Sequence, residues 1–197
     1  LPEIKKARDD GKIISSSTQI FFDLFKGKII GVTGTKGKST TASLIYEVLK
    51  KGGLDVYLVG NIGKPALDLL EKETEGSVVV YELSSFQLAD LGRSPHIGVI
   101  TNIYPEHLDW HGDFENYKKA KENIFRYQGK DDVLISGKYG ANAARAVAEI
   151  LKISKEKVEN AIKNFKPLPH RLEYIGEVNG IKFYNDSLST IPQSTIY

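Results

Sequence analysis

The sequence has no cysteine and no methionine, only four histidines and one tryptophan, and almost no excess of charge: 27 basic side chains against 25 acidic, a net charge of +2. Without thiols there is no disulfide framework, no cysteine nucleophile and no thiolate metal site, and this absence fits a reducing, cytoplasmic setting. Lysine interleaved with glutamate and aspartate leaves no broad basic face for nucleic acid. No apolar run approaches bilayer-spanning length and no signal peptide precedes the first strand, so neither nucleic acid nor membrane is expected as a partner. Methionine is missing even at position 1, which reads as an excerpted or processed chain. Internal repeats and low-complexity tracts are absent too. What is present is 197 residues, 41% hydrophobic and 26% charged, enough for a sizeable core in one to two domains.

From Lys28 onward, apolar runs alternate with amphipathic stretches. Strands are expected over 28–33, 55–59, 77–83, 97–102 and 132–136, and helices over 38–51, 64–72, 85–91 and 114–128. The pattern predicts an α/β fold, a mostly parallel sheet with helices on both faces. A short helix over 2–10, a stop at Gly11 and an apolar helix around Ile20-Phe21-Phe22 form a tail entering the domain. An alanine-rich helix to about Lys152 and a helix from Ser154, capped by that serine, follow the last strand. Pro167-Leu168-Pro169 breaks the pattern and marks a domain boundary. Beyond it, 171–177 and 181–184 read as a hairpin around Asn179-Gly180, ending at Asn185-Asp186-Ser187.

The stretch from Ile29 to Thr41 runs from strand through Gly34-Thr35-Lys36-Gly37 into Lys38-Ser39-Thr40-Thr41. Glycines let the backbone turn tightly against a ligand, a helix N-terminus offers unpaired N–H groups, and Lys38 adds a point charge, which together suit a nucleotide phosphate. Ser39 or Thr40 can then hold Mg²⁺. Strict P-loop spacing places glycine at 32, where Val32 stands, so the match is to Gly-Lys-Ser/Thr after a strand.

Ligands of such sheets bind beyond the carboxyl ends of the strands. Those ends carry Gly34 to Thr40, Gly60-Asn61-Ile62-Gly63, Glu82-Leu83-Ser84-Ser85, and Thr101-Asn102 with Glu106-His107-Leu108-Asp109. Glu82, closing an apolar strand, is read as a Mg²⁺ ligand. His107, Asp109 and His111 alternate as a transition-metal cluster would, but one imidazole beside Mg²⁺ fits a phosphate loop better than zinc, and Asp109 and His111 can equally be structural.

The helix after Phe114 holds an anomaly. Measured from Tyr117 at 100° per residue, Ala120, Ile124, Lys121 and Phe125 fall at about −60°, −20°, +40° and +80°, which places Lys121 inside the apolar stripe. A buried lysine loses proton affinity and becomes a reactive amine, unless it snorkels to solvent.

Together these residues resemble the Mur ligases, which build the peptide stem of bacterial cell-wall precursors. The resemblance rests on Gly34 to Thr40, Glu82-Leu83-Ser84-Ser85-Phe86-Gln87-Leu88, Thr101-Asn102-Ile103, Glu106 to Asp109, and Leu168-Pro169-His170-Arg171-Leu172-Glu173, in that order. It implies ATP-dependent amide formation through an acyl phosphate, and residues 84–88 look most like the branch that joins D-glutamate to UDP-N-acetylmuramoyl-L-alanine. Carried over, it gives Gly34, Thr35, Lys36, Gly37, Lys38, Ser39 and Thr40 to ATP, with Asn142 at the adenine and Arg171 and Asp186 reaching ATP across the domain boundary. Ser39 or Thr40, Glu82 and His107 arrange magnesium, Lys121 is carbamylated to help hold it, Asn61 meets the substrate or its metal shell, and Ser84 meets the substrate. Lys38, His107 and Lys121 are thus the expected catalytic residues.

The resemblance also implies that 1–27 is the tail of an N-terminal UDP-binding domain, 28–168 the central ATP-binding domain, and 169–197 the start of a C-terminal domain. The central part is short between Ile135 and Gly137, where a segment is missing relative to the family, and Leu188 stands where relatives place lysine. A monomer acting on small molecules is expected. The alternatives are another Mur ligase, a folylpolyglutamate synthase-like ligase, or a nucleotide-binding module without ligase activity.

Overall fold

Apolar side chains at every second strand position build a sheet that is buried on both faces. The computed structural model describes residues 2–166, 168–170 and 173–187. Its main sheet comprises β1 (Lys28–Thr33), β2 (Val56–Gly60), β3 (Val78–Glu82), β4 (Ile97–Ile100) and β5 (Val133–Ser136), all parallel, in the order β2-β3-β1-β4-β5. Ile30, Val32, Val78, Val80, Ile97 and Val99 face one way, toward α3 (Lys38–Gly52), α7 (Gly140–Ile150) and α8 (Lys155–Lys163). Ile29, Val79, Tyr81 and Ile100 face the other way, toward α2 (Ser17–Leu24), α4 (Ser85–Ala89) and α6 (Phe114–Arg126). The expected parallel sheet with helices on both faces is therefore the fold. A further helix, α1 (Pro2–Asp9), precedes this body, and a hairpin of β6 (Glu173–Val178) and β7 (Ile181–Asn185) follows it.

Three local expectations need correction. The segment 64–72 is not an α-helix but a 3₁₀ turn at Ala66–Leu69, since one turn after Pro65 with only Ala66 and Leu69 buried cannot offset helix nucleation. Ser154 stands at the N-cap of α8 but its side chain makes no cap hydrogen bond, whereas Ser16, Ser84 and Asp113 do cap α2, α4 and α6. A four-residue helix, α5 (Leu108–His111), was not foreseen. Arg171 and Leu188 lie outside the described residues.

The strand order matters for the site. Successive strands lie first on one side of β1 and then on the other, so the loops after β1, β3 and β4 open onto one crevice at the carboxyl rim.

Candidate active site

The loop after β1 is held by its neighbours before any ligand arrives. Thr35 N donates to Asn102 O at 2.8 Å, Lys36 N donates to Asn102 Oδ1 at 2.8 Å, and Asn102 Nδ2 returns a bond to Lys36 O at 3.0 Å. Thr101 Oγ1 also donates to Lys36 O, at 2.6 Å. Thr101 and Asn102, which the sequence only placed on the rim, thus clamp the loop. Gly34 has φ 150°, and a Cβ there would lie 1.9 Å from Thr101 Oγ1, so no side chain fits. Gly37 caps α3 in the left-handed conformation (φ 78°), directing the first N–H groups of the helix toward the loop. Lys38 Nζ folds back to donate to Thr35 O at 3.0 Å, and Lys36 Nζ pairs with Glu106 Oε1 at 2.7 Å.

Glu82, at the end of β3, pairs in register with Val32 of β1 and Gly60 of β2, which sets it between the phosphate-type loop and Asn61. It is 2% exposed, and its Oε2 is a buried oxygen that accepts no hydrogen bond from the described residues. Mg²⁺ takes oxygen ligands, usually one or two carboxylates together with phosphates and water. A buried carboxylate on the strand next to β1, whose loop leads into Ser39 and Thr40, is the donor type that suits that ion. Among the described residues no three His, Cys, Asp or Glu side chains gather as a metal cluster, and His111 turns its Nε2 to Ser85 Oγ at 3.0 Å.

Lys121 does not snorkel. It is 1% exposed, its Nζ donates to Gly34 O at 2.8 Å, and it stands 4.7 Å from the centroid of the Tyr117 ring. Burial, reinforced by the positive charge of Lys38 and opposed by Glu106, pushes its pKa down to about 7. Tyr117 is fully buried and shares a 2.9 Å hydrogen bond with Thr35 Oγ1; burial pushes its pKa up to about 12, so the phenol stays neutral.

A cavity of about 310 Å³ is lined by Lys38, Asn61, Ser84, Glu106, His107 and Lys121, with Ser85, Phe86 and Tyr117 completing the wall; Glu82, Ser39 and Thr40 are not among its lining residues. Five of the residues picked from the sequence thus share one space. Tyr117, Glu106, Ser85 and Phe86 had been given no role, although Tyr117 lies one turn before Lys121 and Glu106 directly precedes His107. Asn142 is elsewhere: it is exposed on α7 and accepts a hydrogen bond from Arg145 Nη1 at 3.3 Å. The start of α7 does reach α3, where Gly140 N donates to Thr41 Oγ1 at 2.9 Å. Asp186 follows β7, half-buried, outside the lining of the cavity.

Comparison with known proteins puts these features in context. Residues 32–183 match the Mur ligase middle domain. The chain is 36% identical to the UDP-N-acetylmuramoylalanine--D-glutamate ligase of Clostridium botulinum (strain Hall), over 99% of this chain and 55% of that protein. It is 33% identical to the ligase of the same name from Acetivibrio thermocellus, over 100% of this chain and again 55% of the relative. The chain therefore spans about half the length of the curated relatives it matches. The first alignment runs over 251 positions, more than the 197 residues of this chain, so the relative carries residues in the matched region that are absent here. Among solved structures, MurF ligase from Thermotoga maritima in complex with ADP superposes with a TM-score of 0.68 at 16% identity, covering 93% of this chain and 60% of that one. MurC from Thermotoga maritima gives 0.63 at 20% identity, covering 94% and 57%.

Proposed function

The chain belongs to the Mur ligase family, and we propose that it supplies the ATP-handling site of a cytoplasmic ligase that joins D-glutamate to UDP-N-acetylmuramoyl-L-alanine in cell-wall precursor synthesis. The observation that carries this reading is the shared cavity, in which a glycine-turned loop and Lys38 meet His107, Asn61, Ser84 and a buried Lys121. The loop N–H groups and Lys38 bind the β- and γ-phosphates, and Lys38 stabilises charge as the terminal phosphoryl group moves to the substrate carboxylate. Glu82, His107 and Ser39 or Thr40 hold magnesium, whose positive charge neutralises phosphate oxygens when it is bound. Asn61 and Ser84 orient the carboxylate-bearing substrate on the opposite wall. Asn142, Arg171 and Asp186 belong to the nucleotide side of the reading, and residues 1–27 and 169–197 to flanking domains around a central unit of 28–168.

Lys121 has a chemical part of its own. Its neutral amine nitrogen attacks the carbon of CO₂, a C–N bond forms, one C=O electron pair moves onto oxygen, and the nitrogen releases a proton. The product is an anionic carbamate that still carries an N–H for Gly34 O, so the present 2.8 Å contact is compatible with it. A cation that would repel magnesium thereby becomes a ligand for it.

The decisive assay is ADP release with UDP-N-acetylmuramoyl-L-alanine and each amino acid in turn. Release that requires both the nucleotide sugar and D-glutamate is the expected result, and Lys38→Ala should lower it about 100-fold, near 3 kcal/mol. Because the chain spans only half of its relatives, a nucleotide-binding module is the second reading. ATP binding without acceptor-dependent release would establish that one, and absence of ATP binding would overturn both.

A further inference from the structure

The geometry of His107 is not self-supporting. It adopts φ 55°, a left-handed conformation uncommon outside glycine, and caps α5, which is only four residues long. A single helical turn has no stability of its own. Trp110 N and His111 N both donate to His107 O, at 3.2 and 3.0 Å, so the turn and the conformation of His107 stand or fall together. Of the four α5 side chains only His111 is buried; Leu108, Asp109 and Trp110 are exposed, although the Trp110 ring meets Phe86 edge-on at 4.9 Å and His107 packs on the same Phe86 ring at 5.0 Å.

His111 is fastened on three sides. Its Nε2 meets Ser85 Oγ at 3.0 Å, in the first turn of α4, where Ser84 and Gln87 form a reciprocal capping box. Its ring stacks on Phe86, with centroids 5.7 Å apart and planes 20° apart, and meets the Tyr117 ring edge-on at 5.2 Å. Burial lowers its pKa, against the opposing pull of Asp109. Ser85, Phe86, Tyr117 and His107 all line the cavity, whereas His111 stands behind that wall.

We propose that His111 is a positioning residue: through Ser85 and Phe86 it ties α5 to α4 and thereby holds His107 in its left-handed conformation at the cavity. The consequence for magnesium rests on the proposed role of His107; the mechanical claim does not. Two measurements on the 197-residue protein keep them apart.

The first is amide hydrogen exchange without ligand. Protection of the Trp110 and His111 amides should fall at least tenfold in Ser85→Ala and in His111→Phe, while the β1 and β4 amides keep theirs. His111→Gln, whose amide reaches near the Nε2 position, should restore part of it. Wild-type protein that exchanges these two amides at free-peptide rates, or both variants retaining full protection, overturns the proposal. Ser85→Ala decides the matter even if His111→Phe does not fold.

The second is ATP affinity with and without Mg²⁺. The gain on adding Mg²⁺ should shrink at least fivefold in His111→Phe and recover in His111→Gln, an effect that general loosening of the fold would not confine to the metal. If wild type shows no such gain, the magnesium reading of His107 fails, and the exchange result still judges His111.

Discussion

Lys121 is a residue whose chemistry departs far from its intrinsic value. Its ordinary pKa of 10.5 falls to about 7, first because burial penalises the ammonium and then because Lys38 repels it. The folded protein consequently binds fewer protons than the unfolded chain between pH 7 and 10.5, so stability rises with pH across that window. Below pH 7 both states are protonated and the full penalty of the buried ammonium is present. The expected rise between pH 7 and 10 is on the order of 4 kcal/mol, and Lys121→Met should abolish it and be the more stable protein at pH 7. Urea titrations at several pH values measure both. Tyr117, with its pKa pushed from 10.0 up to about 12, acts in the opposite sense, because the unfolded phenol ionises near pH 10 while the folded one does not, so the Lys121 effect is read cleanly below about pH 9. The same amine, neutral near pH 7, should give a carbamate carbon resonance in ¹³C-bicarbonate that is missing from Lys121→Met.

At the scale of elements, α6 carries both Tyr117 and Lys121 and must lie close to the sheet. Asp113 starts it by accepting from Asn116 N at 2.7 Å, and Gly98 in β4 makes the close approach possible. A Cβ at Gly98 would stand 3.0 Å from Ile124 O, a backbone atom that can retreat only if the helix does. Gly98→Ala should therefore cost about 1–3 kcal/mol by overpacking, seen as a lower urea midpoint. Ile124 lies on the same helix as Lys121, so the displacement should also expose the amine, and the pH dependence of stability should flatten in this variant. A melting temperature equal to wild type would show that α6 is not pressed against β4 in solution.

The molecule as a whole has one well-packed unit and one lightly attached piece. β6 and β7 pair with each other, yet Tyr174, Ile175, Val178, Ile181, Phe183 and Tyr184 are all more than half exposed or nearly so. A lone two-stranded hairpin is marginal in water. Amides of 173–185 should accordingly exchange orders of magnitude faster than those of β1, β3 and β4, whose strands are buried on both faces. Equal protection would mean that the hairpin is covered by something in solution. No helix among the described residues is long and apolar enough to cross a membrane.

The parallel sheet was legible from residue patterns because strand alternation, glycine turns and amphipathic helices are local properties: Ile30 and Val32 face one layer and Ile29 the other, as their spacing requires. Lys121 was legible for the same reason, since its angle on α6 depends on nothing outside the helix. Of its partners, the Tyr117 ring lies one turn away on the same helix, whereas Gly34 O comes to it only when α6 is laid across β1 and β4. The extent of the 3₁₀ turn at Ala66–Leu69 and the existence of α5 also escaped the sequence, as one-turn elements have too little intrinsic preference to leave a period. Sequence alone thus determined which polar residues stand at the carboxyl rim of the sheet and on which elements. Tertiary structure decided their meeting: the burial that unsettles Lys121, the clamp of Asn102 on Lys36, and the bond from Ser85 to His111, all set by contacts between segments far apart in the chain.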